Sequence, residues 1–203
     1  MEVCRATRKL CPDNTIRPCR HKRQAATGNR SMQDSAPKAL RLYLLRHARS
    51  GWALPGQRDF DRALDEVGYV DAERLAQMAA DRGIRPERIL CSTAVRCRET
   101  AEPFFRTVSE SLNIRYIDAL YSGPATVYFD LIDAHRHLNS LMLVGHNPMI
   151  EQLLHRLVGD DAAREAFAYG YPPAGLSILD LPAVAPKDGA AVATLVSILL
   201  PNQ

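Results

Sequence analysis

Leu44-Leu45-Arg46-His47-Ala48-Arg49-Ser50-Gly51-Trp52 joins two kinds of sequence: an apolar run over residues 40–45 stops abruptly at a cation and an imidazole. A short continuous apolar run fits a strand buried on both faces. Polar groups at the C-terminal end of such a strand stand where open α/β sheets bind ligands. The same texture returns twice. Residues 88–92 end in Ser92, with Arg96 in the first turn of the helix predicted over 93–112. Residues 141–144 run into Gly145-His146-Asn147-Pro148. Pro148 there suits a first helical turn, with Asn147 as N-cap.

The intervening segments carry helical spacing. Ala72, Leu75, Ala76 and Ala79 recur within residues 69–82, and Gly83 is the stop signal. Val127, Leu131, Ile132 and His135 mark a helix from Ala125, and Ile150, Leu153, Leu154 and Leu157 form the stripe after Pro148. Residues 114–120, 176–181 and 193–200 complete about six strands. Alternation of this kind predicts an α/β fold, a three-layer α/β/α sandwich around a mostly parallel sheet.

The chain has 203 residues, 46% of them hydrophobic and 24% charged, a globular balance that excludes collagenous and fully disordered classes. Its longest apolar stretch, residues 192–200, is broken by Thr194 and Ser197 and is about half of what a bilayer span needs, so no membrane partner is expected. Nine Lys/Arg stand against three acids in residues 1–39, which have five large apolar residues and no aromatic. This stretch reads as a disordered basic N-terminal extension, with residues 40–203 as the domain. Its composition resembles a transit peptide but lacks an amphipathic stripe, and translation from Met32 is an alternative origin. A cationic tail without aromatics gives no reason to expect nucleic-acid binding. Cys4, Cys11, Cys19 and His21 match no common zinc spacing. Five cysteines without a secretory leader point to a reducing cytoplasm, with Cys91 and Cys97 as small interior residues.

The three strand ends deliver Arg46, His47 and Ser50; Ser92 and Arg96; and His146 with Asn147. Two arginines and two histidines would face one another with no carboxylate interleaved. That set suits a dianion such as a phosphoryl group and calls for neither metal nor cofactor. Asp59, Asp61 and Arg62 read as residues ordering the loop after the first strand, with a secondary role near the pocket as the alternative; Trp52 and Phe60 either cover its mouth or pack, packing being the preferred reading; and Asp160 and Asp161 read as a turn.

These stretches resemble the histidine phosphatase superfamily, the phosphoglycerate-mutase-like fold, and within it the SixA-type branch of phosphohistidine phosphatases. Arg46-His47-Ala48-Arg49-Ser50 with Trp52 is similar to that branch's Arg-His-Ala-Lys-Ser before a Trp. Asp59-Phe60-Asp61-Arg62-Ala63-Leu64 resembles its Asp-x-Asp-Arg-Pro-Leu motif. Ser92 to Arg96, followed by Thr100-Ala101, resembles Ser-x-x-x-Arg-x-x-x-Thr-Ala, and Gly145-His146-Asn147-Pro148 matches the last motif. The resemblance implies that His47 is the nucleophile and forms a phosphohistidine intermediate. It implies that Arg46, Arg96 and His146 bind the phosphoryl oxygens, with Ser50 and Asn147 beside them. His146 is then expected to be cationic or to donate a hydrogen bond. The acid that mutase-like members place after the third strand has Asp118 as its nearest counterpart. Weak acid machinery fits a phosphohistidine, which can leave as neutral imidazole, so the expected substrate is a phosphorylated protein or a similar small compound. A phosphomonoesterase or mutase of the wider superfamily, and a catalytically idle phosphoprotein-binding module, are the alternatives.

Overall fold

β1 (Leu40–Arg46) sends successive side chains to opposite faces, Tyr43 and Leu45 into one buried cluster and Leu40, Leu42 and Leu44 into another. Both clusters are covered by helices, which is why the strand reads as an apolar run interrupted only by Arg41, which pairs with Asp180. Burying Leu42, Leu44 and Leu45 completely contributes about 1.5–3 kcal/mol each. The computed structural model describes residues 39–108, 113–183 and 192–202. The expectations for residues 1–38, disorder and a start at Met32, lie outside them, as do residues 109–112 of the predicted second helix.

The sheet also contains β2 (Arg88–Ser92), β3 (Asn113–Ile117), β4 (Ser140–Gly145), β5 (Leu176–Leu181) and β6 (Thr194–Leu199), in the order β3-β2-β4-β1-β5-β6. The β3/β2, β2/β4 and β4/β1 pairs are parallel; β5 runs antiparallel to both β1 and β6. One face is covered by α1 (Glu66–Asp81) and α2 (Val95–Thr107), through Ala72, Leu75, Ala76 and Ala79 and through Cys97, Ala101 and Phe104. The small α1 stripe lets that helix lie close to its neighbours. The other face is covered by α3 (Ala119–Ser122), α4 (Ala125–Ala134), α5 (Met149–Val158) and α6 (Asp160–Ala166), which bury Leu120, Tyr128, Ile132, Leu153, Leu157 and Ala163. The three-layer α/β/α sandwich with a mostly parallel sheet is therefore present.

Several local expectations shift. The third strand stops at Ile117 rather than residue 120, because Asp118 turns into αR backbone and Leu120 is buried within α3. Asp160 and Asp161 form the first turn of α6 instead of a free turn, after Gly159 at φ 85°. Asn147 does not cap α5. The helix starts at Met149, and the Asn147 amide donates instead to Glu151 Oε2 at 2.9 Å and to the Tyr171 carbonyl at 3.3 Å. Cys91 and Cys97 are free and buried, as read.

What positions the site is the adjacency of β2, β4 and β1. Being parallel neighbours, they bring their C-terminal ends to one edge, with Arg46 opposite Gly145 and Cys91 opposite Val144. Beneath that edge the buried Tyr171 hydroxyl donates to the Leu44 carbonyl at 2.6 Å, accepts from the Ser177 N–H at 2.9 Å and lies 2.8 Å from the Ser177 hydroxyl. This ties β1, β5 and the segment before β5 together. Among the described residues no helix is long and apolar enough to cross a membrane.

Candidate active site

At this edge opens a cleft of about 670 Å³, lined by Arg46, His47, Ser50, Arg96, His146 and Asn147 among others. Six of the seven residues proposed from sequence to bind phosphate or react thus meet there, and the seventh, Asp118, does not. Ser50 and Asn147 play indirect parts. The Ser50 hydroxyl accepts from Arg62 Nη2 at 2.8 Å, and the Asn147 amide is turned toward Glu151.

His47 continues the β1 ladder by one residue: its N–H donates to the Gly145 carbonyl at 3.0 Å, and its carbonyl accepts from the Ala174 N–H at 3.2 Å. Its ring Nδ1 lies 2.8 Å from the Ala48 carbonyl. A carbonyl only accepts, so Nδ1 carries the proton and Nε2 presents a lone pair. Burial lowers the His47 pKa to about 4, with Arg96, Arg46 and Arg62 pushing the same way against the Ala48 hydrogen bond. The imidazole is therefore neutral at physiological pH, the form a nucleophile requires.

His146 follows Gly145, whose missing side chain is essential. A Cβ there would stand 2.6 Å from the Tyr128 hydroxyl and 3.3 Å from Ile150 Cδ1. The His146 ring lies 5.1 Å from that of His47, and its Nε2 is 2.8 Å from the Ser92 hydroxyl and 3.4 Å from Cys97 Sγ. Burial lowers its pKa to about 3, reinforced by His47 and Arg96 and opposed by Asp59. Of the two expectations for His146, cation or hydrogen-bond donor, the lowered pKa favours the second: in a pocket this rich in arginine the second imidazole is also neutral. Its use to an anion is then as a polar group, unless the anion's own charge draws a proton onto it.

Arg46 donates through Nη1 to the Tyr171 carbonyl, while its Nε is buried and has no hydrogen-bond partner among the described residues. An unpaired buried donor on a cation is costly and invites an acceptor. Arg96 is almost fully buried. Its Nε points to His47 Nε2 at 3.3 Å, Nη1 donates to the Asp59 carbonyl at 2.7 Å and Nη2 to Asp59 Oδ2 at 3.0 Å.

Asp59 overturns the expectation that no carboxylate stands among the cations. It belongs to a 3₁₀ turn, Asp59–Asp61, in the loop after β1 rather than to a strand end, so a search of strand ends passes over it. Its other oxygen accepts from Arg62 at 2.7 Å, and Tyr121 donates to Oδ2 at 3.1 Å. Burial would raise its pKa, but Arg62, Arg96 and Tyr121 outweigh that and hold it below the ordinary carboxylate value. Asp65 also lines the cleft, paired with Arg49 at 2.7 Å. Four arginines against two aspartates leave the cleft positive.

Asp118 is exposed at the start of α3 and does not line the cleft. Tyr121, three residues on, reaches the site instead, its ring 5.6 Å from that of His146. Trp52 is not packed: it stands 95% exposed on the cleft rim. Phe60 packs edge-on to Tyr121 at 5.0 Å. Asp59 and Thr100 were visible only as letters of the motifs, without a contact to assign them. Among the described residues no group of three or more His, Cys, Asp or Glu is arranged to hold a metal ion.

Comparison with known proteins agrees with this geometry. The sequence model of the histidine phosphatase superfamily (branch 1) matches residues 42–121. The crystal structure of a candidate phosphohistidine phosphatase SixA from Agrobacterium tumefaciens superposes with a TM-score of 0.72 at 43% identity, covering 79% of this chain and 97% of that one. A SixA counterpart from Nakamurella gives a TM-score of 0.62 at 29% identity, covering 80% and 96%. An uncharacterized chloroplastic protein of Arabidopsis thaliana is 30% identical over 158 residues, 73% of this chain and 72% of its own length. The chain belongs to the histidine phosphatase superfamily. Within it the SixA-type branch is its place, and its chemistry is that of a histidine-based phosphatase.

Proposed function

We propose that the protein dephosphorylates phosphohistidine on a protein, with residues 40–203 as the catalytic unit and His47 as the nucleophile. The observation that carries this reading is the unprotonated Nε2 of a neutral His47, which accepts from Arg96 Nε at 3.3 Å, with the opposite ring nitrogen fixed on the Ala48 carbonyl. Nε2 attacks phosphorus, the substrate's N–P bond breaks, and its imidazole leaves neutral because its other nitrogen keeps a proton. Water then attacks the phosphorylated His47, which releases inorganic phosphate and restores the free ring. Arg46, through its unpaired Nε, together with Arg96 and His146, stabilises the phosphoryl oxygens as charge redistributes.

The acid side of the chemistry favours this substrate over an alkyl phosphate. Asp59, the carboxylate nearest the reacting groups, is held ionised by two arginines, and Asp118 stands outside the cleft. Expelling an alkoxide needs a positioned proton donor, worth about 10²–10⁴-fold, whereas a protonated phosphohistidine does not. The SixA name of the Agrobacterium relative points the same way. A reducing cytoplasm is the setting that the odd count of five cysteines suggests.

Rapid quenching with a radiolabelled phosphohistidine peptide tests the mechanism. Acid-labile label is expected on His47, and label on any other residue overturns it. On substrate, kcat/KM for that peptide should exceed that for a sugar phosphate by about a hundredfold; equal values would remove the phosphohistidine assignment.

A further inference from the structure

We propose that Thr100 is a positioning residue for the nucleophile, acting through the backbone of Ala48; this rests on the reading of His47 just given. Thr100 is fully buried on α2. Its Oγ1 accepts from the Ala48 N–H at 3.0 Å and stands 2.6 Å from the Arg96 carbonyl. An amide only donates, so the hydroxyl accepts there and sends its single proton to Arg96. A hydroxyl bonded back to the carbonyl four residues earlier is common in helices and by itself means little. The incoming Ala48 N–H, from a segment 52 residues away, is what gives it a role.

His47 is held on three sides by backbone. The sheet fixes its own N–H on Gly145, and Ala174 fixes its carbonyl. The next N–H, that of Ala48, is fixed by Thr100, and Ala48 supplies the carbonyl that takes the Nδ1 proton at 2.8 Å. Thr100 therefore sets the residue that holds the ring by its Nδ1, while the Arg96 Nε–H facing Nε2 favours the same tautomer from the other side. The same hydroxyl is anchored on Arg96, whose Nε faces Nε2 of that ring. One hydroxyl thus couples the aim of the nucleophile to the helix turn that carries the arginine.

Replacing Thr100 by valine keeps the shape and removes both hydrogen bonds. The Ala48 N–H, on a residue with no exposure, is then left unsatisfied, and its peptide must turn to find a partner. That peptide carries the His47 carbonyl, so the shift reaches the His47 backbone and, through Ala48, the carbonyl that holds Nδ1; Nε2 still faces the Arg96 Nε–H and keeps its lone pair, but the ring swings off the line of attack. Misplacement on this scale costs about 10–100-fold in rate.

The test compares Thr100→Val and Thr100→Ser in the full chain by ¹H–¹⁵N NMR of the His47 Nδ1–H and by kcat and KM on an aryl phosphate. Wild type and Thr100→Ser should hold the Nδ1–H tautomer and agree in kcat within about threefold. Thr100→Val should keep the proton on Nδ1 but move its ¹H resonance upfield as the bond to the Ala48 carbonyl weakens, with kcat lower by about 10–100-fold at little-changed KM. The proposal is overturned if Thr100→Val keeps both the Nδ1–H resonance and kcat, or if Thr100→Ser loses as much as Thr100→Val. Should the valine variant fail to fold, Thr100→Ala is read the same way; if neither folds, the hydroxyl serves folding alone and the proposal fails. The NMR arm is independent of where phosphate goes. A resonance shift in a protein that never labels His47 would overturn the functional reading, and with it the role in catalysis, while showing that Thr100 orients the ring; an unmoved resonance in a protein that does label His47 would overturn this proposal alone.

Discussion

Arg96 presents one nitrogen to His47 and two to Asp59: Nε lies 3.3 Å from His47 Nε2, while Nη1 and Nη2 are held by the Asp59 carbonyl and carboxylate at 2.7 and 3.0 Å. The guanidinium is locked edge-on to the nucleophile by an anion that also occupies the attractive field a phosphoryl group would seek. Asp59 thus both aims the arginine and competes with the substrate for it.

Removing that charge should favour the competitor. In Asp59→Asn, inorganic phosphate is expected to inhibit about three- to tenfold more tightly, as one fewer negative charge faces the dianion. Competitive inhibition of aryl phosphate turnover measures it. Weaker inhibition would mean that alignment of Arg96 outweighs repulsion.

His47→Asn should lower kcat by about 10³-fold or more, since no other ring nitrogen occupies its place, yet leave phosphate binding within about threefold. Calorimetry with inorganic phosphate separates the two effects. Retained turnover would point to a different nucleophile.

The pH dependence follows from both histidines lying below the ordinary value of 6.5, at about 4 for His47 and about 3 for His146. Their unfolded forms bind protons that the native forms refuse, so stability rises with pH across this window and is lost as pH falls from 6.5 toward 4. Urea midpoints should drop between pH 7 and pH 4.5, and His146→Asn should flatten the drop. Activity limited by neutral His47 should persist to about pH 5, well below the limb of an unperturbed histidine.

Tyr171→Phe removes the hydroxyl that binds Leu44 and Ser177 but leaves the Tyr171 carbonyl, which accepts from Arg46 and Asn147. Stability should fall by about 1–3 kcal/mol with kcat nearly unchanged. A large loss of activity at intact stability would contradict this division.

Gly145→Ala should do the reverse of a silent change. The new methyl meets the Tyr128 hydroxyl and Ile150, so either the β4 end or α5 must shift, at about 1–3 kcal/mol, and His146 moves with it. Thermal melting and turnover should both fall. Tyr128→Phe, by removing the atom struck first, should recover part of each.

The parts of this protein legible in sequence are those written in local pattern. The buried strands show as apolar runs because both faces of the sheet are covered, and the strand ends show because polarity changes there at once, at Arg46, Ser92 and Gly145. Arg46, His47, Arg96 and His146 could be named for that reason. Asp59 could not, since its role depends on a loop folding back to Arg96 across 37 positions. Thr100 was equally hidden, being joined to Ala48 only in three dimensions. Asn147 misled because its flanking letters look like a helix start, while its amide is claimed by Glu151 and Tyr171. Of the two readings open to Trp52, packing is the one suggested by an indole's usual burial, and its exposure on the cleft rim favours the other.

The pairing of Arg46 with Gly145 fixes more than a register. Neighbouring strands stand about 4.8 Å apart in the hydrogen-bonding direction. His47 and His146, each one step beyond that pair, therefore inherit their 5.1 Å ring separation from the pitch of the sheet itself. Loops around the mouth are free to lengthen or change chemistry without re-spacing the reactive rings, whereas a single residue inserted in β1 or β4 would turn one of them to the wrong side.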